Sequence, residues 1–196
     1  MLENQIETHP FTPFLPENAK LLMLGSFPPS RERWKMEFYY PNFQNDMWRI
    51  FGLIFFENKN YFLDIDKKSF NETLICEFLV NKGIAIYDVA EKVIRLKGNA
   101  SDKFLQIVTT VKLEELLMPI PECHTLMTTG DKATETLISL LPEGTEKPTI
   151  AMPSHTHFMG RDLNLYRMPS SSRAYPLALE KKAELYGNFF QEIGLI

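Results

Sequence analysis

Short apolar runs alternate along the chain with stretches of helical periodicity, and turn residues separate them. This alternation is typical of α/β units built around a mostly parallel sheet. We therefore expect a three-layer α/β/α fold with a short central sheet. Apolar runs predict strands at residues 21–24, 83–89, 124–128 and 165–168, and an extended segment at 149–152. Helices are predicted at residues 45–56, 69–81, 101–108 and 177–193, and Ser101 is the predicted cap of the helix at 101–108. A further helix is predicted to follow the turn at 129–131 and to end at residue 140.

Two of the predicted strands end in small polar residues. The first runs into GSFPPS at residues 25–30, and the last runs into MPSSSRAYP at residues 168–176. A strand that stops in a Gly- or Ser-rich turn leaves unpaired backbone N–H groups, and ligands of open parallel sheets bind in the crevice at such strand ends. The pattern predicts a binding site where these two segments meet.

Composition limits the class of protein. The chain has 196 residues, of which 44% are hydrophobic and 23% charged, with a net charge of −4. We expect one globular domain over residues 1–196 that works as a monomer. The start of the chain lacks a secretory pattern and no apolar run is long enough to span a membrane, so we expect a cytoplasmic location. Cys76 and Cys123 are expected to be reduced, buried thiols, because they are too few for an iron–sulfur cluster and lack Cys-x-x-Cys spacing.

Five segments of the chain carry a family resemblance. They are GSFPPS, FYYPNFQNDMWRIFG, KGIAIYDVAEKVIRLKGNASDKF, TTGDKA and MPSSSRAYPLALEKKAELY. Together, over residues 21 to 186, they resemble the uracil-DNA glycosylase superfamily, closest to its mismatch-specific and hypoxanthine (deoxyinosine) branches. The resemblance implies a single-domain hydrolase of base excision DNA repair, a monofunctional glycosylase that removes a deaminated base, uracil or hypoxanthine, from DNA and leaves an abasic site. It also implies DNA with a damaged or mismatched base as the partner, and no metal or other cofactor.

The first segment matches the loop that activates water in the superfamily. Phe27 stands where many members carry an acid or Asn, and a phenyl ring cannot activate water, so that role must lie elsewhere. The hypoxanthine-like branch also has an apolar residue there. Apart from the resemblance, the Gly and Pro residues alone are explained by a chain turn after a strand. By resemblance, four residues of this loop bind the base: Gly25, Ser26, Phe27 and Pro28.

The second segment supplies the candidate catalytic residue. By resemblance, Asn45 orients the attacking water and Tyr40 offers an aromatic ring to the extruded base. A carboxamide is not a strong base, so the mechanism implied is dissociative, with water directed at a developing oxocarbenium ion. The alternative is that Asn45 only caps a helix and Tyr40 only packs in the core. Asn42 and Asp46 are secondary candidates, Asp46 as a base in place of Asn45 or as a charge that complements the helix dipole.

The last segment resembles the loop that grips the DNA backbone. Ser170, Ser171 and Ser172 can donate hydrogen bonds to phosphate oxygens, aided by N–H groups at the start of the following helix. Arg173 adds a charged contact, and either Arg173 or Tyr175 is the candidate wedge. The alternative is a Ser-capped helix beside a solvated arginine.

Several further residues complete the set of hypotheses. By resemblance, residues 129–131 occupy the place where many relatives carry an Asn that reads the base edge, a task that the Thr129 hydroxyl or Asp131 would perform here. Asp102 is expected to fix a loop or cap a helix. His155 and His157, with Asp162, allow a weaker hypothesis of a metal-dependent hydrolase. A non-catalytic nucleic-acid or nucleobase-binding module on the same fold is the main competing function, with Phe27 marking lost chemistry. Cations near the two site segments predict a DNA-binding face: Arg31, Arg33, Lys35, Arg161, Arg167 and Arg173.

Overall fold

A computed structural model describes residues 5–96 and 102–196. Within these residues, a five-stranded sheet forms the centre of the fold. Its strands are β2 (Leu21–Gly25), β5 (Ile84–Asp88), β8 (Thr125–Thr129), β9 (Ser154–Phe158) and β10 (Arg161–Met168). They lie in the order β5-β2-β8-β10-β9, and adjacent strands are parallel except β9 and β10, which pair antiparallel.

The interior strands explain the apolar runs of the sequence. Every residue of β2, β5 and β8 is buried, as expected for parallel strands covered on both faces. The helices of the described chain are α1 (Met47–Phe56), α2 (Glu72–Lys82), α3 (Leu113–Leu117), α4 (Asp131–Ser139) and α5 (Leu179–Glu192). The expected α/β fold with a short, mostly parallel central sheet is confirmed.

The strand order positions the functional site. From β2 the chain moves through α1 and α2 to β5 on one side, whereas from β8 it moves through α4 to β10 on the other side. Crossovers between parallel strands are almost always right-handed, so two crossovers that run in opposite directions are expected to put their helices on opposite faces of the sheet. Helix α5 packs against α1. The carboxyl ends of β2 and β8 therefore form a topological switch point, the usual ligand crevice of an open α/β sheet.

Smaller strands flank this sheet. They are β1 (Ile6–Thr8), β3 (Leu63–Asp64), β4 (Ser69–Phe70), β6 (Ala90–Arg95) and β7 (Leu105–Thr110). A three-stranded antiparallel sheet has the order β1-β6-β7, and β3 pairs with β4 in a short hairpin.

The helix predicted at residues 101–108 is wrong. Its proposed cap, Ser101, lies outside the described residues, and Asp102–Phe104 forms one 3-10 turn before β7 begins. Strand β7 pairs antiparallel with β6. The β-branched run from Ile107 to Thr110 favours an extended strand over a helix, and this preference outweighs the capping signal.

Two further predicted elements need correction. The helix predicted from residue 69 begins at Glu72, because Ser69 and Phe70 form β4 and the Asn71 side chain accepts the Leu74 N–H at 3.1 Å. The segment 149–152 is not a strand but a tight turn in which Thr149 and Met152 exchange backbone hydrogen bonds. The strand next to β10 is instead β9, whose polar alternation differs from the apolar runs of the sheet interior.

Two of the remaining expectations concern cysteines and membranes. Cys76 and Cys123 are both free thiols, Cys123 buried and Cys76 half-buried. Burial raises the pKa of the Cys123 thiol to about 11. Among the helices of residues 5–96 and 102–196, none is long and apolar enough to cross a membrane.

Candidate functional site

A cavity of about 710 Å³ opens at the switch point between β2 and β8. The structure brings the distant sequence segments together around it, as the strand-end pattern predicts. Arg173 is not among the residues that line it. The lining includes ten residues singled out from the sequence: Gly25, Ser26, Phe27, Pro28, Tyr40, Asn45, Thr129, Ser170, Ser171 and Ser172.

Asn45 lies both at the start of α1 and at the cavity. Its Oδ1 accepts the Met47 N–H at 2.9 Å, at the first residue of α1, and Asn45 is among the residues that line the cavity. A carbonyl oxygen has two lone pairs, so one remains available to a second donor. The bond to α1 therefore fixes the carboxamide without excluding a water molecule from it.

Tyr40 has a strained backbone at the cavity wall. Its φ of 56° lies in the left-handed region, which a non-glycine residue adopts only when its surroundings enforce it. The ring packs edge-on against Trp48, and the hydroxyl lies 3.5 Å from Thr129 Oγ1. Burial, with a contribution from the Asp88 carboxylate, raises the pKa of Tyr40 above its ordinary value. A neutral phenol is thus held beside Thr129.

The loop after β2 is fixed by side chains from other elements. Arg95 donates to the Pro28 carbonyl, and Trp34 Nε1 donates to the Pro29 carbonyl at 2.7 Å. The Phe27 ring packs against His9 with 5.2 Å between centroids, and the Arg95 guanidinium lies 5.5 Å from its centre. The apolar residue at this position is therefore part of a packed cluster that borders the cavity.

The structure places in the cavity a buried carboxylate, Asp88, that the sequence marked as an acidic strand end but to which it assigned no role. Asp88 ends β5, is 6% exposed, and accepts a hydrogen bond at 2.9 Å from His9 Nε2. Its other oxygen lies next to Gly25, where an added Cβ would come within 2.4 Å of it. The strand-end argument applied to Ser26 applies equally to Asp88. His9 had no such signal, because it reaches the site from the irregular segment after β1.

A second carboxylate lies on the other side of the β2 loop. Ser26 Oγ donates to Asp102 Oδ1 at 2.6 Å, and both residues line the cavity. Burial raises the pKa of Asp102 above its ordinary value, although the hydrogen bond from Ser26 acts in the opposite direction. Asp102 fixes the loop, as expected, but it also adds an acidic group to the cavity wall.

The segment 168–176, which we call the serine loop, is held through three of its carbonyl groups. The donors come from α5 and from the residue before α1: Tyr186 Oη binds Pro169 O at 2.7 Å, Asp46 N binds Ser171 O at 2.9 Å, and Lys182 Nζ binds Ser172 O at 2.8 Å. Helix α5 begins only at Leu179, so the expectation that its first N–H groups adjoin the serines is wrong. The loop ends instead in hydroxyl-capped turns, in which Ser170 Oγ accepts the Ser172 N–H and Ser172 Oγ accepts the Ala174 N–H.

Asp46 is bound to Arg173 and Lys182 and lies outside the cavity lining. Its carboxylate accepts from Arg173 Nε at 3.0 Å and from Lys182 Nζ at 3.3 Å, and Lys182 is fully buried. Asp46 does not line the cavity, which leaves Asn45 as the better placed of the two residues. Arg173 is half-exposed and paired with Asp46, while Tyr175 lines the cavity.

The six predicted DNA-facing cations separate into different environments. Arg161 donates to the carbonyls of Leu117, Ile120 and Cys123 and is structural, so its assignment to the DNA face is corrected. Arg31 pairs with Glu37. The two that line the cavity are Arg33 and Arg167.

The two histidines of β9 are exposed and separate from the cavity. His155 hydrogen-bonds Asn164, and His157 bonds Asp162 at 2.7 Å across the β9–β10 pair. Across the described ranges, no three His, Cys, Asp or Glu side chains are grouped so that they could hold a metal ion. The weak metal-site hypothesis gains no support from this geometry.

One solved structure places the fold among known proteins. The solution NMR structure of a "putative Uracil DNA glycosylase" from Methanosarcina acetivorans is similar to this chain, with a TM-score of 0.57 and 24% sequence identity. The match covers 95% of this chain and 99% of that one. No protein-family model matches the chain, and a search of curated proteins gives no match. The likeness shows a uracil-DNA glycosylase-like fold.

Proposed function

We propose that this protein is a DNA glycosylase of base excision repair. It hydrolyses the N-glycosidic bond of a deaminated base in DNA, uracil or hypoxanthine, and leaves an abasic site. One observation carries the proposal: the cavity at the switch point gathers Asn45, Tyr40 and the loop after β2 with the serine loop after β10. These segments are far apart in the chain, and each matches a motif with a separate task in the reaction.

The chemistry follows from the groups in the cavity. Cleavage builds positive charge on the sugar and negative charge on the departing base, so fixed charges and dipoles accelerate it. Asn45 directs water at the sugar through the Oδ1 lone pair that the Met47 N–H leaves free. The carboxylates of Asp88 and Asp102 stabilise the cationic sugar. Because a carboxamide is not a strong base, Asn45 orients the water without generating hydroxide, and bond breaking precedes the attack of the water.

The base and the DNA backbone have separate contact residues. Tyr40 or Phe27 stacks on the extruded base, while Thr129 and main-chain groups of residues 25–28 hydrogen-bond its edge. Ser170, Ser171, Ser172 and Arg173 contact the backbone. The carbonyls of Pro169, Ser171 and Ser172 are already bound within the protein, and the serine hydroxyls can donate to phosphate oxygens.

The test is a single-turnover assay with end-labelled oligonucleotides. They carry uracil, hypoxanthine or xanthine, either single-stranded or opposite each normal base. Wild-type protein should release the base from at least one of the deaminated substrates and leave an alkali-labile abasic site, whereas an undamaged oligonucleotide stays intact. No release from any substrate, with salt-sensitive DNA binding retained, would favour the non-catalytic binding module.

A further inference from the structure

We propose that a second groove, next to the cavity, binds the phosphodiester backbone of the DNA strand beside the extruded base. The groove has a volume of about 370 Å³ and is lined by Arg33, Lys35, Asn42, Phe43, Gln44 and Lys68. We call it the basic groove. The identity of its ligand rests on the proposed function, but its binding can be measured without turnover.

The basic groove continues directly from the cavity. Arg33 and Asn42 line both spaces, so a polymer that leaves the cavity on this side enters the groove without crossing another surface. A base in the cavity remains joined to its neighbours through phosphates. The groove therefore offers a continuous path for the strand on one side of the extruded nucleotide.

The charge of the groove favours a polyanion. Three of its six lining residues are cationic and none is acidic, although the whole chain carries a net charge of −4. Among the described residues, Arg33, Lys35 and Lys68 form no ion pair, whereas nearby Arg31 pairs with Glu37 and Lys67 pairs with Asp64. Unpaired cations along a groove are the electrostatic feature that binds phosphates irrespective of sequence.

The groove is also rigidly assembled from three segments. The Lys35 N–H donates to Pro41 O at 2.9 Å, and Ser69 Oγ donates to Lys35 O. These bonds join the segment after the 3-10 turn Arg31–Arg33 to the loop before α1 and to the β3–β4 hairpin. Lys68 follows in the tight turn of that hairpin, with φ of 48° and its N–H bonded to Ile65 O. The two lysines are thus held on connected walls before any ligand arrives.

The lining of the groove also includes an aromatic residue, Phe43. Phe43 packs against Phe70 with 5.5 Å between ring centroids, and the Arg49 guanidinium lies 4.7 Å from its ring centre. Neutral Asn42 and Gln44 flank it and leave the cationic field of the walls uncompensated. The site suits a flexible single strand better than a bare anion, because it offers both charges and an apolar surface.

The experiment compares two doubly neutralised proteins of equal net charge. Lys35→Gln/Lys68→Gln removes two groove cations, and Lys59→Gln/Lys67→Gln removes two exposed lysines of neighbouring surface that do not line it. Affinity for a lesion-containing oligonucleotide is measured against salt concentration. The groove variant should lower the slope of log K against log salt by roughly 1.5, from two lost phosphate contacts. The control variant should keep the wild-type slope.

Two further measurements make the proposal decisive. The first uses oligonucleotides that are shortened on one side of the lesion at a time. Shortening one flank should abolish the difference in slope between the groove variant and wild type, whereas shortening the other flank should leave it unchanged. Lys35→Arg/Lys68→Arg, which keeps the charges, should restore the wild-type slope. Equal slopes for the groove and control variants, or an effect that survives shortening of either flank, would overturn the proposal. Failure of base release with these results intact would count against the proposed function alone.

Discussion

Gly25 illustrates how single residues keep the cavity open. Its hydrogen leaves room for the Asp88 carboxylate, which the 2.9 Å bond from His9 holds in place. A side chain here would push against a pinned, buried group. The sequence marks Gly25 as a turn residue, but the structure shows that it is needed mainly for close approach to Asp88.

We therefore expect Gly25→Ala to lower the free energy of unfolding by about 1–3 kcal/mol, the usual cost of overpacking. Gly187→Ala is the matched control. Gly187 lies within α5, where an added Cβ meets only Ile54 at 3.8 Å, so alanine should stabilise by about 0.5–1 kcal/mol. Urea denaturation of both variants measures whether each substitution lowers or raises the free energy of unfolding. A neutral Gly25→Ala would show that Asp88 moves freely.

Asp102 makes stability depend on pH. Its pKa is higher in the folded chain than in the unfolded chain, where an aspartate has a pKa of about 3.9. The folded state therefore binds this proton more tightly. The stabilisation is complete below the unfolded pKa and is lost as pH rises through the folded one. Asp102→Asn stays neutral and keeps an oxygen for the Ser26 hydroxyl.

We therefore compare the free energy of unfolding of Asp102→Asn with that of wild type. Above about pH 4 the variant should become increasingly more stable than wild type as the pH rises, because only wild type must ionise this buried carboxyl group. Urea titrations at a series of pH values measure this difference. A difference that is constant with pH, or that falls, would show that Asp102 is not destabilised as a carboxylate.

At the scale of elements, Lys182 of α5 joins the start of α1 to the serine loop. It is fully buried, and its ammonium binds both the Asp46 carboxylate and the Ser172 carbonyl. Removing one partner of a buried pair leaves an uncompensated charge and costs about 3–5 kcal/mol. Lys182→Met should lower the free energy of unfolding by an amount near the lower end of this range, because Arg173 still binds Asp46.

A double-mutant cycle tests this connection between elements. The double variant Asp46→Asn/Lys182→Met should lose less stability than the two single changes added together, by about 1–3 kcal/mol, because neither partner is left charged alone. Chemical denaturation of the four proteins gives the coupling energy. Strict additivity would mean that the two groups do not stabilise the loop jointly.

Elements with strong local patterns could be predicted from the sequence, and those that depend on distant partners could not. The sequence predicts the fully buried strands β2, β5 and β8 close to their bounds, because burial on both faces favours a mainly apolar run. Strands β6 and β7 pair in a side sheet and carry no such run. Their β-branched residues were outweighed by an apparent helix cap, which led to the wrong helix at 101–108.

At the scale of the whole molecule, the strand order brings the site together. The sequence indicated that the segments after β2 and β10 should converge, and the cavity lies between them. His9 and Lys182 could not be identified in this way, since their roles depend on contacts 79 and 136 residues away along the chain. Neither lies in a local pattern that differs from ordinary surface sequence.

The most direct test of the glycosylase proposal compares base release by wild type, Asn45→Ala and Asn45→Ser at saturating enzyme. Serine can still accept the Met47 N–H at the start of α1, but it lacks the carboxamide. Both variants should release the base at least about 100-fold more slowly, the lower range for loss of a group that orients a reacting water, while DNA affinity stays close to wild type. Full activity in Asn45→Ser, with loss only in Asn45→Ala, would mean that Asn45 serves the helix alone and would contradict its catalytic role.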